Sequence, residues 1–136
     1  MPRSDEAAST TVPVRLGDRS YEITVSEGGW DALPLRLKPA LERTWAGRGC
    51  RKALILTDDN VAQLSFPDRV RSSLDFLGIE GTITVVPHGE ASKGLDTAAT
   101  LYKRLVAMTA DRHTLVVAVG GGVIGDLGGF VAATFA

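Results

Sequence analysis

The sequence predicts an α/β fold: a parallel sheet with flanking helices, preceded by an N-terminal β-hairpin. Three observations predict it. The runs KALILT (52–57), GTITVVP (81–87) and TLVVAVG (114–120) are short and apolar, as buried parallel strands are. The segments between them have helical spacing. Strands that alternate with helices favour a parallel sheet covered on both faces. A length of 136 residues suffices for one domain with its own core and falls short of two ordinary ones.

Each element has a local reason. Residues 1–11 read as a flexible tail, and the domain proper as 12–136. VPVRLG (12–17) and SYEITVSEG (20–28) are β-rich and meet around Gly17 and Asp18, which suggests a hairpin. In WDALPLRLKPALERTW (30–45), Leu33, Leu37 and Leu41 share one helical face, while Pro34 and Pro39 limit the regular portion. DDNVAQL (58–64) is a loop entering a helix. PDRVRSSLDFLGI (67–79) is helical, with proline at its start and Gly78 near its end. SKGLDTAATLYKRLVAMTA (92–110) places Leu95, Ala98, Ala99, Tyr102, Leu105 and Val106 at amphipathic spacings.

Composition excludes several function classes. A hydrophobic fraction of 44% and a charged fraction of 23% are those of a globular, water-soluble protein. A net charge of −1 gives no electrostatic reason for a nucleic acid or an anionic membrane as partner. No apolar stretch reaches the roughly 18 residues of a membrane span, and MPRSDEAAST does not read as a signal peptide. Cys50, the one cysteine, has no CxxC companion and reads as a bystander.

The chemistry concentrates in VAVGGGVIGDLGGFVAATFA (117–136). Gly120, Gly122 and Gly125 satisfy G-x-G-x-x-G, whose glycines let backbone N–H groups approach a pyrophosphate at a helix N-terminus. The standard dinucleotide fingerprint lies in the first βα turn, with an acid about 20 residues on. Here the pattern follows the last strand, outside the usual Rossmann register. The helix after it carries a stripe of small residues, Gly125, Gly128, Gly129, Ala132 and Ala133, with Val123, Ile124, Leu127, Phe130 and Val131 around it. Such a helix is expected to be buried on nearly all sides. Close packing alone is the other reading of the stripe. Two further loops, TDDN (57–60) and HGEASK (88–93), follow strands and open onto the same carboxyl edge of the sheet, where ligands gather. Three such loops together point to a nucleotide site.

TDDN, GEASK and GGGVIGDLGGFVAATF together resemble the 3-dehydroquinate synthase family, whose segments read approximately D-x-N, G-E-x-x-K and G-G-G-V-x-G-D-x-x-G-F-x-A-[AS]-[TS]-[YF]. The resemblance runs from about residue 12 to the end, and its third motif is the specific one. Polyol dehydrogenases of the glycerol dehydrogenase type share the fold but carry a different run after the aspartate. Other sugar-phosphate cyclases tend to alter the Gly-Asp pair that stands here as Gly125-Asp126. Both remain alternatives, as does a nucleotide-binding module without chemistry.

The resemblance implies a Rossmann-like, NAD- and metal-dependent lyase. It would convert 3-deoxy-D-arabino-heptulosonate 7-phosphate to 3-dehydroquinate and phosphate, in the shikimate pathway to the aromatic amino acids. By motif match, Asp58 and Asn60 lie at the adenosine side of NAD, and Glu90 and Lys93 contact ribose hydroxyls. Gly121, Gly122 and Val123 bind the pyrophosphate region through backbone, and Asp126 lies near the nicotinamide half. Gly89 and Gly125 complete the cofactor set. Asp59 stands where threonine is often found.

The implied metal, zinc or cobalt, is held in this family by a glutamate and two histidines of a later helical domain, which also holds the substrate. His88 and His113 match no metal-ligand spacing. His88 adjoins the GEASK loop, and His113 reads as the start of a strand. The chain therefore reads as an N-terminal portion with neither catalytic nor metal-ligating residues of its own, inactive alone. It would take a small sugar-phosphate substrate, without nucleic acid or membrane partners, and would work as a cytoplasmic homodimer when full length.

Overall fold

The computed structural model describes residues 8–45 and 49–136. The chain divides into two compact units, Met1–Leu33 and Pro34–Ala136. In the first, strands β1 (Ser9–Val14) and β2 (Tyr21–Ser26) pair antiparallel, with Val12 opposite Ile23 and Val14 opposite Tyr21. The expected hairpin is present. Its pairing begins at Ser9, so Ser9–Thr11 belong to the strand rather than to a tail, and residues 1–7 lie outside the described residues. Gly17 takes a positive φ of 62° in the turn. There the Ser20 hydroxyl donates to the Gly17 carbonyl at 2.6 Å and accepts from the Leu16 N–H at 2.8 Å.

Helix α1 (Leu33–Trp45) runs through Pro39, further than its prolines suggest. Pro34 costs little at the helix start, where the first N–H groups lack intrahelical partners. Leu33, Leu37 and Leu41 are half-buried, as their spacing predicts, while Leu35 between them is exposed.

The second unit is built on a three-stranded parallel sheet in the order β4-β3-β5, from β3 (Lys52–Asp58), β4 (Glu80–Val86) and β5 (Leu115–Val119). Central β3 is flanked on both edges, and Ala53 through Thr57 are fully buried. Helix α2 (Phe66–Phe76) buries Val70, Ser73 and Leu74 and packs on β3 and β4, with Arg71 near Ile55 on that face. On the opposite face, Leu54, Leu56 and Val86 form one cluster with helices α3 (Leu95–Ala107) and α4 (Gly122–Phe135). Each large side chain buried there contributes about 1.5–3 kcal/mol.

Four expectations need correction. The buried face of α3 is Ala98, Leu101 and Leu105, with Tyr102 packed beside it. Ala99 is exposed, as are Leu95 and Val106, because they fall off the helical face that Ala98, Leu101 and Leu105 form. Strand β5 is half-buried rather than buried, since among the described strands only β3 pairs with it. His113 lies in a turn ahead of β5, where its N–H donates to Asp111 Oδ1 at 2.8 Å. Helix α4 buries one face only: Ile124, Leu127, Gly128 and Val131. Of the small stripe, Gly128 alone is packed, its Cβ position 3.3 Å from Ala118 Cβ; Gly125, Gly129, Ala132 and Ala133 face outward.

Candidate functional site

Parallel pairing puts the ends of all three strands on one edge, and the loops after them meet there. The buried Thr57 hydroxyl, near the end of β3, donates to the Val119 carbonyl at 2.7 Å, fixing the strand that feeds Gly120–Gly122. Asp58 is the last residue of β3, and its Oδ1 accepts the Val61 N–H at 2.8 Å. Asn60 stands at the N-cap of the short 3-10 turn Val61–Gln63, making no cap bond with its side chain. Asp59, between these two, reaches the neighbouring loop. Its Oδ1 accepts from the His88 N–H at 3.0 Å and contacts His88 Nδ1 at 2.7 Å. These bonds hold the Asp59 carboxyl below the usual carboxylate range, the side-chain bond from His88 contributing most.

The loop after β4 turns at Gly89, whose φ of 93° is one that L side chains rarely adopt. The buried Ser92 hydroxyl donates to the Pro87 carbonyl and closes the loop. Lys93 projects from it toward the next loop. Its Nζ is 2.8 Å from Asp126 Oδ2 and 3.8 Å from Glu90. The Asp126 bond, with the charges of Asp126 and Glu90, raises the Lys93 pKa above the ordinary lysine value. Lys93 and Asp126 line a groove of about 360 Å³ with Gly94, Leu95, Leu127 and Phe130.

Both helices beginning at this edge lack side-chain caps: α3 opens at Gly94 and α4 at Gly121. Their first-turn N–H groups have no intrahelical acceptors and present a positive end. A Cβ on Gly121 or Gly122 would meet nothing within 4 Å, so the backbone there is open to an approaching group. Gly120 differs, since a Cβ on it would lie 2.9 Å from Ile124 Cγ1. Gly125 also faces open space, and Val123 is half-buried. Asp126 lies one turn further into α4 than a residue placed only to complement the helix dipole. This edge fits a diphosphate flanked by hydroxyl groups. It does not fit a metal: among the described residues no three His, Cys, Asp or Glu side chains are grouped to hold one.

Of the sequence-predicted residues, the structure links Glu90, Lys93 and Asp126 by side-chain contacts, while Asp58 bonds within its own loop. Three contributors escaped sequence reading: Thr57, whose hydroxyl acts on distant backbone, Ser92, whose hydroxyl closes its own loop, and the pairing of Asp59 with His88. Cys50 is remote from the edge, beside Lys52 at the start of β3; it donates to the Lys52 carbonyl at 3.3 Å, and burial raises its pKa. No helix among the described residues is long and apolar enough to cross a membrane.

The chain is similar to proteins of known activity. Residues 83–136 match the family model described as 3-dehydroquinate synthase N-terminal. The 3-dehydroquinate synthase of Symbiobacterium thermophilum is 43% identical over 122 residues, covering 90% of this chain and 32% of that protein. That of Brucella ovis is 41% identical over 130 residues, 93% of this chain and 31% of its own length. A crystal structure of 2-deoxy-scyllo-inosose synthase complexed with carbaglucose-6-phosphate, NAD+ and Co2+ superposes with a TM-score of 0.73 at 25% identity, covering 93% of this chain and 32% of that one. The chain spans about a third of the length of the curated relatives it matches. In motif and sequence the chain is similar to the N-terminal part of 3-dehydroquinate synthases.

Proposed function

We propose that this chain supplies the NAD-binding side of a 3-dehydroquinate synthase, a lyase that converts 3-deoxy-D-arabino-heptulosonate 7-phosphate to 3-dehydroquinate and phosphate. The observation that carries the reading is the Lys93–Asp126 pair, which brings the GEASK and GGGVIGD loops together beside two uncapped helix N-termini. The N–H groups of Gly121, Gly122 and Val123 bind the pyrophosphate, where open space and the α4 dipole favour an anion. Asp58, Asn60, Glu90 and Lys93 hold the adenosine and ribose hydroxyls, with Gly89 giving the turn and Gly125 clearance. Asp126 orients Lys93 and faces the nicotinamide half. When bound, NAD supplies a hydride acceptor and donor for transient oxidation of a ring hydroxyl. The residues of this chain orient the reacting partners and hold charge; the metal ligands and the substrate's phosphate and carboxylate contacts come from outside the described residues. A divalent metal is supported by the Co2+ of the cyclase neighbour, and the small sugar-phosphate substrate by that neighbour's carbaglucose-6-phosphate. A cytoplasmic homodimer rests on the family resemblance, and residues 1–136 alone are expected to release no phosphate.

The test is Asp126→Asn in the whole protein. NAD+ affinity should weaken on the order of tenfold, as removal of a charged partner does, while the melting temperature moves little because the pair is exposed. Unchanged affinity and turnover would dispose of the assignment. A second reading, another sugar-phosphate cyclase, is favoured by the 2-deoxy-scyllo-inosose synthase neighbour. Assaying phosphate release from the heptulosonate phosphate against glucose 6-phosphate separates the two.

A further inference from the structure

We infer that Asp59 and His88 are positioning residues, a clamp that sets the separation of the two adenosine-side loops and thereby the affinity for the cofactor. This rests on the function proposed above. Asp59 is committed to structure on every side. Its N–H donates to the Val86 carbonyl at 3.1 Å, and its carbonyl accepts from Gln63 Nε2 at 3.1 Å. Its Oδ1 takes both the backbone N–H and the ring Nδ1 of His88. A ring nitrogen that donates to a carboxylate carries its proton, so the Nδ1–H form of His88 is the one the clamp selects, neutral or charged.

The neighbours of the clamp give it a purpose. Asp58 precedes Asp59, and Gly89 and Glu90 follow His88, so the clamp lies between the two acids that the proposed reading puts on adenosine and ribose. Two other bonds brace the loops from either side: Asp58 Oδ1 accepts from Val61, and Ser92 donates to Pro87. Asp59 and His88 are both more than half exposed, so they add little to the core. Their contribution is to the order of two loops before the cofactor arrives, which lowers the entropy lost on binding. The aspartate and the histidine therefore act together, the ring adding to the backbone bond that Asp59 makes in any case.

The experiment measures NAD+ and ADP-ribose dissociation constants by calorimetry on the whole protein and its Asp59→Ala, Asp59→Asn and His88→Ala variants. Asp59→Ala should weaken both ligands roughly 5- to 10-fold. Asp59→Asn keeps an acceptor oxygen in place and should return affinity to within about twofold of the original. His88→Ala loses the ring but not the N–H, and should cost roughly two- to fourfold. In 15N-labelled protein the His88 amide resonance should shift in Asp59→Ala and recover in Asp59→Asn. Unchanged affinity in Asp59→Ala, or an asparagine variant as weak as the alanine one, overturns the clamp while leaving the cofactor reading intact. If the unmodified protein binds neither ligand, the cofactor reading falls and the clamp's role falls with it. Should Asp59→Ala not fold, Asp59→Asn and His88→Ala still decide the question.

Discussion

Two junctions hold the carboxyl edge together, and they are built differently. Lys93 and Asp126 meet only through the tips of their side chains, in one exposed contact of 2.8 Å. Asp59 and His88 meet through ring and backbone at once, and Asp59 also bonds to Val86 and through its carbonyl to Gln63. An exposed ion pair contributes little to stability and can exchange its partner for a ligand group at small cost. A carboxylate that organises backbone N–H groups cannot do so without rearranging the loop. The first junction is suited to contact with a ligand, and the second to holding its surroundings still. Charge at a site thus divides between groups that can be spent on a ligand and groups that cannot.

The sharpest way to break both junctions is to remove the platform beneath them. Leu101 is fully buried in the cluster that α3 and α4 share with β3. Leu101→Ala should cost about 2–5 kcal/mol, the usual range for a core leucine. Leu95 on the same helix is 78% exposed, and Leu95→Ala should stay within about 0.5 kcal/mol. Chemical denaturation of the two variants measures the contrast. Equal losses would mean that the face of α3 has been assigned wrongly.

A smaller effect separates adjacent glycines. Gly120→Ala forces a methyl to 2.9 Å from Ile124 Cγ1 and should destabilise by about 1–3 kcal/mol as the first turn of α4 shifts. Gly121→Ala meets open space, so its melting temperature should hardly change while NAD+ binding weakens. A stable Gly121→Ala protein with normal NAD+ affinity would remove that backbone from the proposed pyrophosphate site.

How far the sequence carried this picture depends on what range of contact each feature needs. The parallel sheet was legible because KALIL, TITVV and LVVAV are set by local apolarity and separated by helices, and the pattern admits few topologies. The three loops could be placed on one edge for the same reason. The lysine and the aspartate were each recognisable by motif, but not their contact, which depends on β4 and β5 both pairing with β3. The partnership of Asp59 with His88 was invisible for that reason, though each residue was noticed singly. Helix α4 was misjudged in the opposite sense. Its apolar composition describes what its surface would tolerate, whereas Phe130 at 46% exposure and the outward Gly125 and Gly129 report what covers it among the described residues.

The least change is expected from pH, and its sign differs at the two junctions. The Asp59 carboxyl is held below the usual carboxylate range, chiefly by the bond from His88. A depressed acid contributes stability that is present above its unfolded value and is lost as pH falls through the lowered folded value. Lys93 is displaced upward, chiefly by the bond to Asp126. A raised base contributes stability that is fully present below its unfolded value and is lost as pH rises through the raised folded value. Both junctions therefore persist across the neutral range. The clamp yields in acid, below the ordinary carboxylate range, and the stability that Lys93 itself contributes is lost in alkali, above the ordinary lysine range. Carbon-13 titration of the Asp59 carboxyl and the Lys93 Cε follows each one separately. In His88→Ala the Asp59 midpoint should move back up toward an ordinary carboxylate, and in Asp126→Asn the Lys93 midpoint should come down. An Asp59 carboxyl that titrates normally in the unmodified protein would show that the ring of His88 is not bound to it in solution, leaving the two junctions alike.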